Sequence, residues 1–281
     1  MGTITEREAG LVEAANASGR TPAVFIHGLW LLASSWDPWA GAFEAAGYAP
    51  LAAGWPDDPE TVAEARKAPE VLAGKGVGQV ADHFAEVIGT LERKPVIVGH
   101  SFGGLLAQIL AGRGLSAGTV AIDPAPFRGV LPLPIAALRS TFPVLANPLN
   151  RGRAITLSFD QFRYSWANGV SEEEARRVYE RFHVAAPGKP IFQAAVENLN
   201  PASELRVDTK TADRGPLLIF TGGVDHAVPP AMSRAAFKKQ QRNPGPTEHV
   251  ELADRGHSLV IDDRWSEVCD ASLEFLGRFA T

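Results

Sequence analysis

The sequence predicts an α/β fold, with a mostly parallel central sheet, helices on both faces and an inserted helical segment. Three observations predict it. Short apolar runs recur along the chain, each followed by a Gly-containing turn and a helix-like stretch, which is the alternation of a parallel sheet with crossover helices. The runs are too apolar for strands wetted on one face, as expected where helices cover both. The 281 residues, 45% hydrophobic and 21% charged, suffice for one full core, since a folded chain of this length hides roughly 75% of the surface of its extended form.

Strands are predicted at Ala23–Ile26, Tyr48–Ala52, Val96–Val98, Thr119–Ile122 and Leu217–Phe220, with a weaker sixth at Val250–Leu252. Between the second and third, Val80, Phe84, Val87, Ile88 and Leu91 fall at helical spacing and predict a packing helix. The stretch from Arg264 to Phe279 carries Trp265, Val268, Leu273, Phe275 and Leu276 in the same manner. From Ala125 to Thr211 the alternation stops. There Pro132, Pro134, Pro143, Pro148, Pro187 and Pro190 punctuate short helical pieces, and Ser171 followed by Glu174 has capping-box spacing. The chain therefore divides into a core of residues 1–124 and 212–281 and an insertion of residues 125–211. The insertion is rich in aromatics, among them Phe142, Phe162, Trp166 and Phe192. Two readings fit it: a lid over a site on the sheet, which we prefer, and a helical subdomain with its own small core.

Charge and composition exclude several classes of function. The 27 Lys and Arg against 32 Asp and Glu give a net charge of −5 with neither sign gathered into a block, which argues against a nucleic-acid footprint or a polybasic membrane patch. Met1–Arg20 is polar and acidic and lacks the apolar stretch of a secretory signal. The start Met1-Gly2-Thr3 suggests myristoylation, but Glu6 stands where that pattern wants Ser or Thr. No run spans a bilayer, so a soluble, cytoplasmic protein is expected. Cys269 is alone, which excludes an intrachain disulfide and a cysteine-based zinc site. Gly74-Lys75-Gly76-Val77-Gly78 follows no clear strand and reads as a loop, not a phosphate cradle. No metal or cofactor is expected.

The chemistry lies in Gly99-His100-Ser101-Phe102-Gly103. An apolar β run leads straight into this Gly-x-Ser-x-Gly and then into a helical Leu105–Ala111. Gly99 and Gly103 permit the close backbone approach of a sharp strand-to-helix turn, with the Ser101 hydroxyl at its tip. The plain alternative is that Ser101 merely caps the following helix. Downstream, the strand at Leu217–Phe220 ends in Thr221-Gly222-Gly223-Val224-Asp225-His226, and the weak sixth strand is followed by Arg255-Gly256-His257-Ser258.

On these motifs the chain resembles the α/β-hydrolase superfamily over about residues 21–281, with the insertion similar to that family's variable cap. The resemblance implies an α/β-hydrolase fold and a triad in the order Ser, acid, His: Ser101 as nucleophile, Asp225 as acid and His257 as base. A neutral imidazole is the common side chain with a pKa near neutrality, so His257 suits the transfer of the serine proton. Asp123, at the end of the preceding strand, competes with Asp225 for the acid role. It also reads as a turn residue before Pro124. The first strand ends in His27-Gly28-Leu29-Trp30, similar to the family's His-Gly loop, which implies an oxyanion hole made by the backbone N–H groups of Leu29 and Phe102. His27, Gly28, Trp30 and His100 are the expected substrate-binding or pocket-wall groups, and His226 is expected beside the site. His83 is expected on a solvated helix face, while His183 and His249 read as surface or cap residues.

A serine at the elbow disfavours the haloalkane dehalogenases and epoxide hydrolases of this fold, which use Asp there. The function expected first is hydrolysis of a carboxylic ester, lactone or thioester of an apolar small molecule. Carbon–carbon bond hydrolases, cofactor-free perhydrolases or haloperoxidases, hydroxynitrile lyases and non-enzymatic receptors share the pattern and remain as alternatives.

Overall fold

The computed structural model describes residues 4–196, 198 and 200–279. The Met1-Gly2-Thr3 start lies outside the described residues. Among them run eight strands: β1 (Pro22–Ile26), β2 (Ala49–Ala52), β3 (Val96–His100), β4 (Gly118–Ile122), β5 (Ala154–Ile155), β6 (Ala186–Pro187), β7 (Leu217–Gly222) and β8 (Thr247–Leu252). Six of these make one parallel sheet in the order β2-β1-β3-β4-β7-β8. The other two pair antiparallel as a separate ladder, too short to leave a pattern in the sequence. Every residue of β1, β3, β4 and β7 is buried, as strands covered on both faces must be.

The helices are α1 (Glu6–Ser18), α2 (Asp37–Ala45), α3 (Val62–Lys67), α4 (Val77–Gly89), α5 (Phe102–Gly112), α6 (Ile135–Leu145), α7 (Phe159–Ser165), α8 (Glu172–Phe182), α9 (Lys189–Val196), α10 (Pro230–Gln240) and α11 (Trp265–Gly277). All eleven residues of α5 are buried, so this helix is the centre of the core, packed on β1, β3, β4 and α4. Val80, Phe84, Val87 and Ile88 form the buried stripe of α4, and burying such side chains contributes roughly 1.5–3 kcal/mol each. Trp36 and Trp39, both fully buried, meet edge to face at 5.2 Å, and the Trp39 indole N–H donates to the Val260 carbonyl.

β8 begins three residues earlier than its sequence pattern implies. It lies at the sheet edge, where Glu248 and Glu251 are only partly covered, so charged residues break the apolar run without breaking the strand. The opposite edge, β2, tolerates Pro50, which lacks an N–H to donate. The N-terminal α1 has no strong apolar stripe; Val12 and Ala15 are buried, and Thr5 with Glu8 closes a capping box.

His83 departs from expectation, and His183, within the insertion as expected, is enclosed there. His83 is buried, with Nε2 at 2.8 Å from Glu8 Oε1, because α1 covers the face of α4 that would otherwise meet water. His183 is also buried, stacked on Tyr179 at 4.5 Å and edge-on to Phe162 at 5.5 Å. On α8 the Ser171 hydroxyl accepts from the Glu174 N–H, but the Glu174 carboxylate turns to the Asp263 N–H at 2.7 Å. Half of the predicted capping box thus ties α8 to the loop before α11.

The helices α6–α9 and the β5–β6 ladder all come between β4 and β7 in the chain. The glycine run expected as a loop is one only as far as Gly76; Val77 and Gly78 open α4, and their N–H groups donate to Gln193 Oε1 and Glu204 Oε2.

Candidate active site

The site is built at the ends of β1, β3, β4 and β7. At the end of β3 the backbone reverses into α5 through Ser101, whose φ of 56° and ψ of −120° lie where a non-glycine residue is strained. The surroundings enforce it. A Cβ on Gly99 would stand 2.1 Å from the Gly103 carbonyl oxygen, and one on Gly103 would stand 2.0 Å from the Ile26 carbonyl oxygen. Only glycine fits either position, and the tight turn lifts the hydroxyl off the sheet.

Asp225 follows β7 in a turn closed by its N–H donating to the Gly222 carbonyl. Its Oδ1 accepts the N–H groups of Ala227 at 2.7 Å and Val228 at 2.9 Å, which leaves Oδ2 aimed at the loop after β8. There His257 Nδ1–H donates to Asp225 Oδ2 at 2.6 Å, and His257 Nε2 stands 2.9 Å from Ser101 Oγ. Three side chains from three separate loops meet in one buried line.

Two rings pack against the imidazole. Trp166, between α7 and α8, sets its edge against the ring at 4.6 Å, and the His100 ring lies 4.6 Å away on another side. His100 Nε2–H donates to the His257 carbonyl at 2.8 Å. Burial, with the nearby His257 charge second, holds His100 well below the ordinary histidine pKa, so it is a neutral prop for the His257 backbone. The buried Arg255 guanidinium donates to Asp262 at 2.6 Å and fixes the same loop from its far end.

Asp123 is fully buried beside this line. Its Oδ1 accepts the Gly222 N–H at 2.7 Å, while its Oδ2 lies 3.9 Å from His257 Nδ1 and has no hydrogen-bond partner. Burial first, and then the Asp225 charge, push its pKa well above the ordinary carboxyl range. The two aspartates predicted as competitors are therefore neighbours, with Asp225 in bonding contact with the imidazole and Asp123 outside it. His100, Asp123 and His257 bring metal-ligating atoms within 4.8 Å of one another, yet both ring nitrogens of His257 are already engaged, which leaves no lone pair for a cation.

The Gly28–Leu29 backbone runs against Ser101: a Cβ on Gly28 would stand 2.7 Å from Ser101 Cβ. The N–H groups of Leu29 and Phe102 donate to no protein acceptor among the described residues. His27 sits behind this loop, with Nδ1 at 2.8 Å from the Gly28 carbonyl oxygen and Nε2 at 3.0 Å from Asp58 Oδ2. Asp58 also accepts from the Trp55 N–H and from Lys75. Nothing in the sequence spacing pointed to Asp58 or Lys75, since His27 and Asp58 are 31 residues apart and Asp58 and Lys75 are 17.

A cavity of about 130 Å³ opens beside Ser101 and His257. Of the four residues expected to line it, Trp30 does; His27, Gly28 and His100 do not. Trp30, at φ 63°, is pinned by its indole N–H donating to the Ile155 carbonyl. The remaining walls are mainly apolar and come largely from residues 133–195, including Leu138, Leu145 and Ile191, with Val228 and Met232 from the α10 side. His226 stays outside the lining, its ring tilted against Tyr164 at 4.6 Å with Nδ1–H donating to the Tyr164 carbonyl. These wall positions are ordinary apolar residues, so only the fold reveals them.

Solved structures with this architecture include the monoacylglycerol lipase of Paleococcus ferrophilus, 20% identical, with 93% of this chain and 97% of that one covered at a TM-score of 0.63. A pyrethroid hydrolase from Sphingobium faniae JZ-2 is 18% identical over 91% of this chain and 96% of that one, TM-score 0.61. Polyneuridine aldehyde esterase is 17% identical over 91% and 99%, TM-score 0.63. No curated protein sequence matches the chain. The sequence profile of the alpha/beta hydrolase family matches residues 23–271. That span takes in the sheet, the Ser101 turn and the His257 loop together, and the chain belongs to the alpha/beta hydrolase family.

Proposed function

We propose that the protein is a serine hydrolase that cleaves carboxylic esters, lactones or thioesters of an apolar small molecule through an acyl-enzyme on Ser101. The observation that carries this reading is the continuous line from Ser101 Oγ through the His257 ring to Asp225, at 2.9 and 2.6 Å. In this reading His257 Nε2 takes the hydroxyl proton as Ser101 attacks the carbonyl carbon, and returns it to the leaving alcohol. Asp225 holds the tautomer with Nδ1 protonated and stabilises the imidazolium. The negative charge on the carbonyl oxygen would be met by the N–H groups of Leu29 and Phe102, and removing one such donor typically costs about 3 kcal/mol in the transition state. Water, deprotonated by His257, then resolves the acyl-enzyme.

The apolar walls support an apolar substrate. A cavity of about 130 Å³ is close to one of roughly 150 Å³ that holds a benzene molecule, so the enclosed part of the substrate is an apolar chain or ring of that size. The lipase and esterase names of the structural neighbours agree with this chemistry. The test is hydrolysis of p-nitrophenyl esters with Ser101→Ala alongside the parent. We expect turnover to fall by about 10⁴-fold or more and labelling by a fluorophosphonate probe to disappear. Unchanged turnover in Ser101→Ala would remove the assignment, and activity on β-diketones or cyanohydrins in place of esters would move the protein to another triad chemistry.

A further inference from the structure

The outer surface of residues 131–149 is apolar where a soluble helix is ordinarily polar. Leu131, Leu133, Ile135, Leu138, Phe142 and Leu149 are all exposed, Ile135 to 83%, Leu131 to 76% and Phe142 to 65%. On α6 the exposed Ile135, Leu138 and Phe142 follow at i, i+3 and i+7, while Ala137, Ser140 and Val144 face inward. The helix therefore buries a face of small and medium side chains and presents its largest apolar groups to solvent. Leu149 belongs to the same surface region, because Asn150 ties its turn to α6 by donating to the Val144 carbonyl at 3.0 Å. Contiguous exposed apolar groups on this scale mark an interaction surface.

The charge of the segment is as one-sided as its hydropathy. From Pro124 to Phe159 there is no Asp, Glu or Lys, and there are four arginines, Arg128, Arg139, Arg151 and Arg153, all exposed. The segment carries +4 in a chain whose net charge is −5. The first acid after it is the exposed Asp160, which lines a groove with Arg139 and Tyr164 without pairing with the guanidinium. Among the described residues none of the four arginines pairs with a carboxylate, although Arg139 stacks on Tyr164 at 4.0 Å. The surface is also continuous with the cavity beside Ser101: Leu133 and Leu138 are at once exposed and part of its lining.

We propose that this face is a docking surface for an anionic lipid–water interface, seated so that the Ser101 cavity opens onto the lipid. Apolar side chains flanked by arginines enter the boundary between headgroups and acyl chains, and the arginines meet the lipid charge. An apolar ester dissolved in that phase then reaches Leu133 and Leu138 without crossing water. A second copy of the chain is disfavoured as occupant, because a two-fold contact through this face sets the four arginines of one copy against those of the other. The consequence for substrate supply rests on the ester-hydrolase reading; the docking does not.

The test is co-sedimentation of full-length Ser101→Ala protein with vesicles of dioleoylphosphatidylglycerol and of dioleoylphosphatidylcholine, at low and high salt. Because binding is read without turnover, docking and catalysis can fail separately. We expect binding to the anionic vesicles to be at least about tenfold tighter than to the neutral ones and to weaken with salt. The triple variant Leu131→Ser, Ile135→Ser, Phe142→Ser should weaken it by about tenfold or more, as should Arg151→Glu with Arg153→Glu. The same changes made on the active parent should leave turnover of a soluble ester unchanged. Absence of binding, equal binding to both vesicles, or variants that bind as well as the parent would overturn the proposal. So would a concentration-dependent dimer in sedimentation velocity that the triple variant disperses.

Discussion

Asp123 and Asp225 both stand behind the His257 ring, and their surroundings give them different chemistry. Asp225 is held by two backbone N–H groups and receives Nδ1–H at 2.6 Å. Asp123 accepts one N–H, sits 3.9 Å from the same nitrogen, and is driven toward its neutral form by burial and by the Asp225 charge. Two adjacent buried carboxyls cannot both ionise at low cost. Replacing each by its amide separates their roles. Asp225→Asn presents an amide where the imidazolium needs a charge and should cut kcat by about 10⁴-fold. Asp123→Asn imitates the neutral form toward which burial and the Asp225 charge drive this carboxyl, and should retain kcat within about tenfold. A steady-state comparison of the two on one p-nitrophenyl ester checks this, and the reverse order would exchange their roles. Both aspartates were legible in the sequence because each follows an apolar run that could only be a buried strand. The turn after β7 favoured Asp225 by its resemblance to the family's acid-bearing turn, whereas the contact itself depends on where the loop after β8 sets His257.

The helices carry a pH dependence of their own. At the C-terminus of α8, His183 is buried against Phe162 and Tyr179, and burial, with Arg66 second, lowers its pKa to about 3. An unfolded histidine titrates near 6.5. The folded protein therefore binds fewer protons than the unfolded chain between about 3 and 6.5, so this contribution is fully present above pH 6.5 and is lost as pH falls toward 3. Between pH 7.5 and pH 5 the loss from this one group is about 2 kcal/mol. His183→Phe keeps a ring in the slot and removes the titration, so its denaturant midpoint should fall less than that of the parent over the same interval. An equal fall in both would place the acid sensitivity elsewhere. No pattern around His183 announced its burial, since the rings that enclose it are 4 and 21 residues away and the second contact exists only once α7 packs on α8. The helices α4 and α11, by contrast, could be read directly, as their apolar residues recur at the helical period.

Over the whole molecule, the order of strands and the turns that end them are what bring the site together. Ser101 and His257 are separated by 156 residues in the chain, yet both sit where parallel strands end on the same side of one sheet, the usual place for a site in an open α/β fold. The strands were visible in the sequence because a parallel sheet buries both faces and so demands unbroken apolar runs. The cavity walls were not, because Leu138, Leu145 and Ile191 look like any other apolar residue until α6 and α9 fold over Ser101. Among the described residues no helix is long and apolar enough to cross a membrane. The central claim, that Ser101 is a nucleophile served by His257, is tested most directly by trapping the covalent intermediate. Brief incubation with p-nitrophenyl acetate, acid quenching and peptide mass spectrometry should find one acetyl group on the peptide that contains Ser101, and none there in His257→Ala. Ester turnover with no acyl group on Ser101, or acetylation that persists at the same rate without His257, would contradict it.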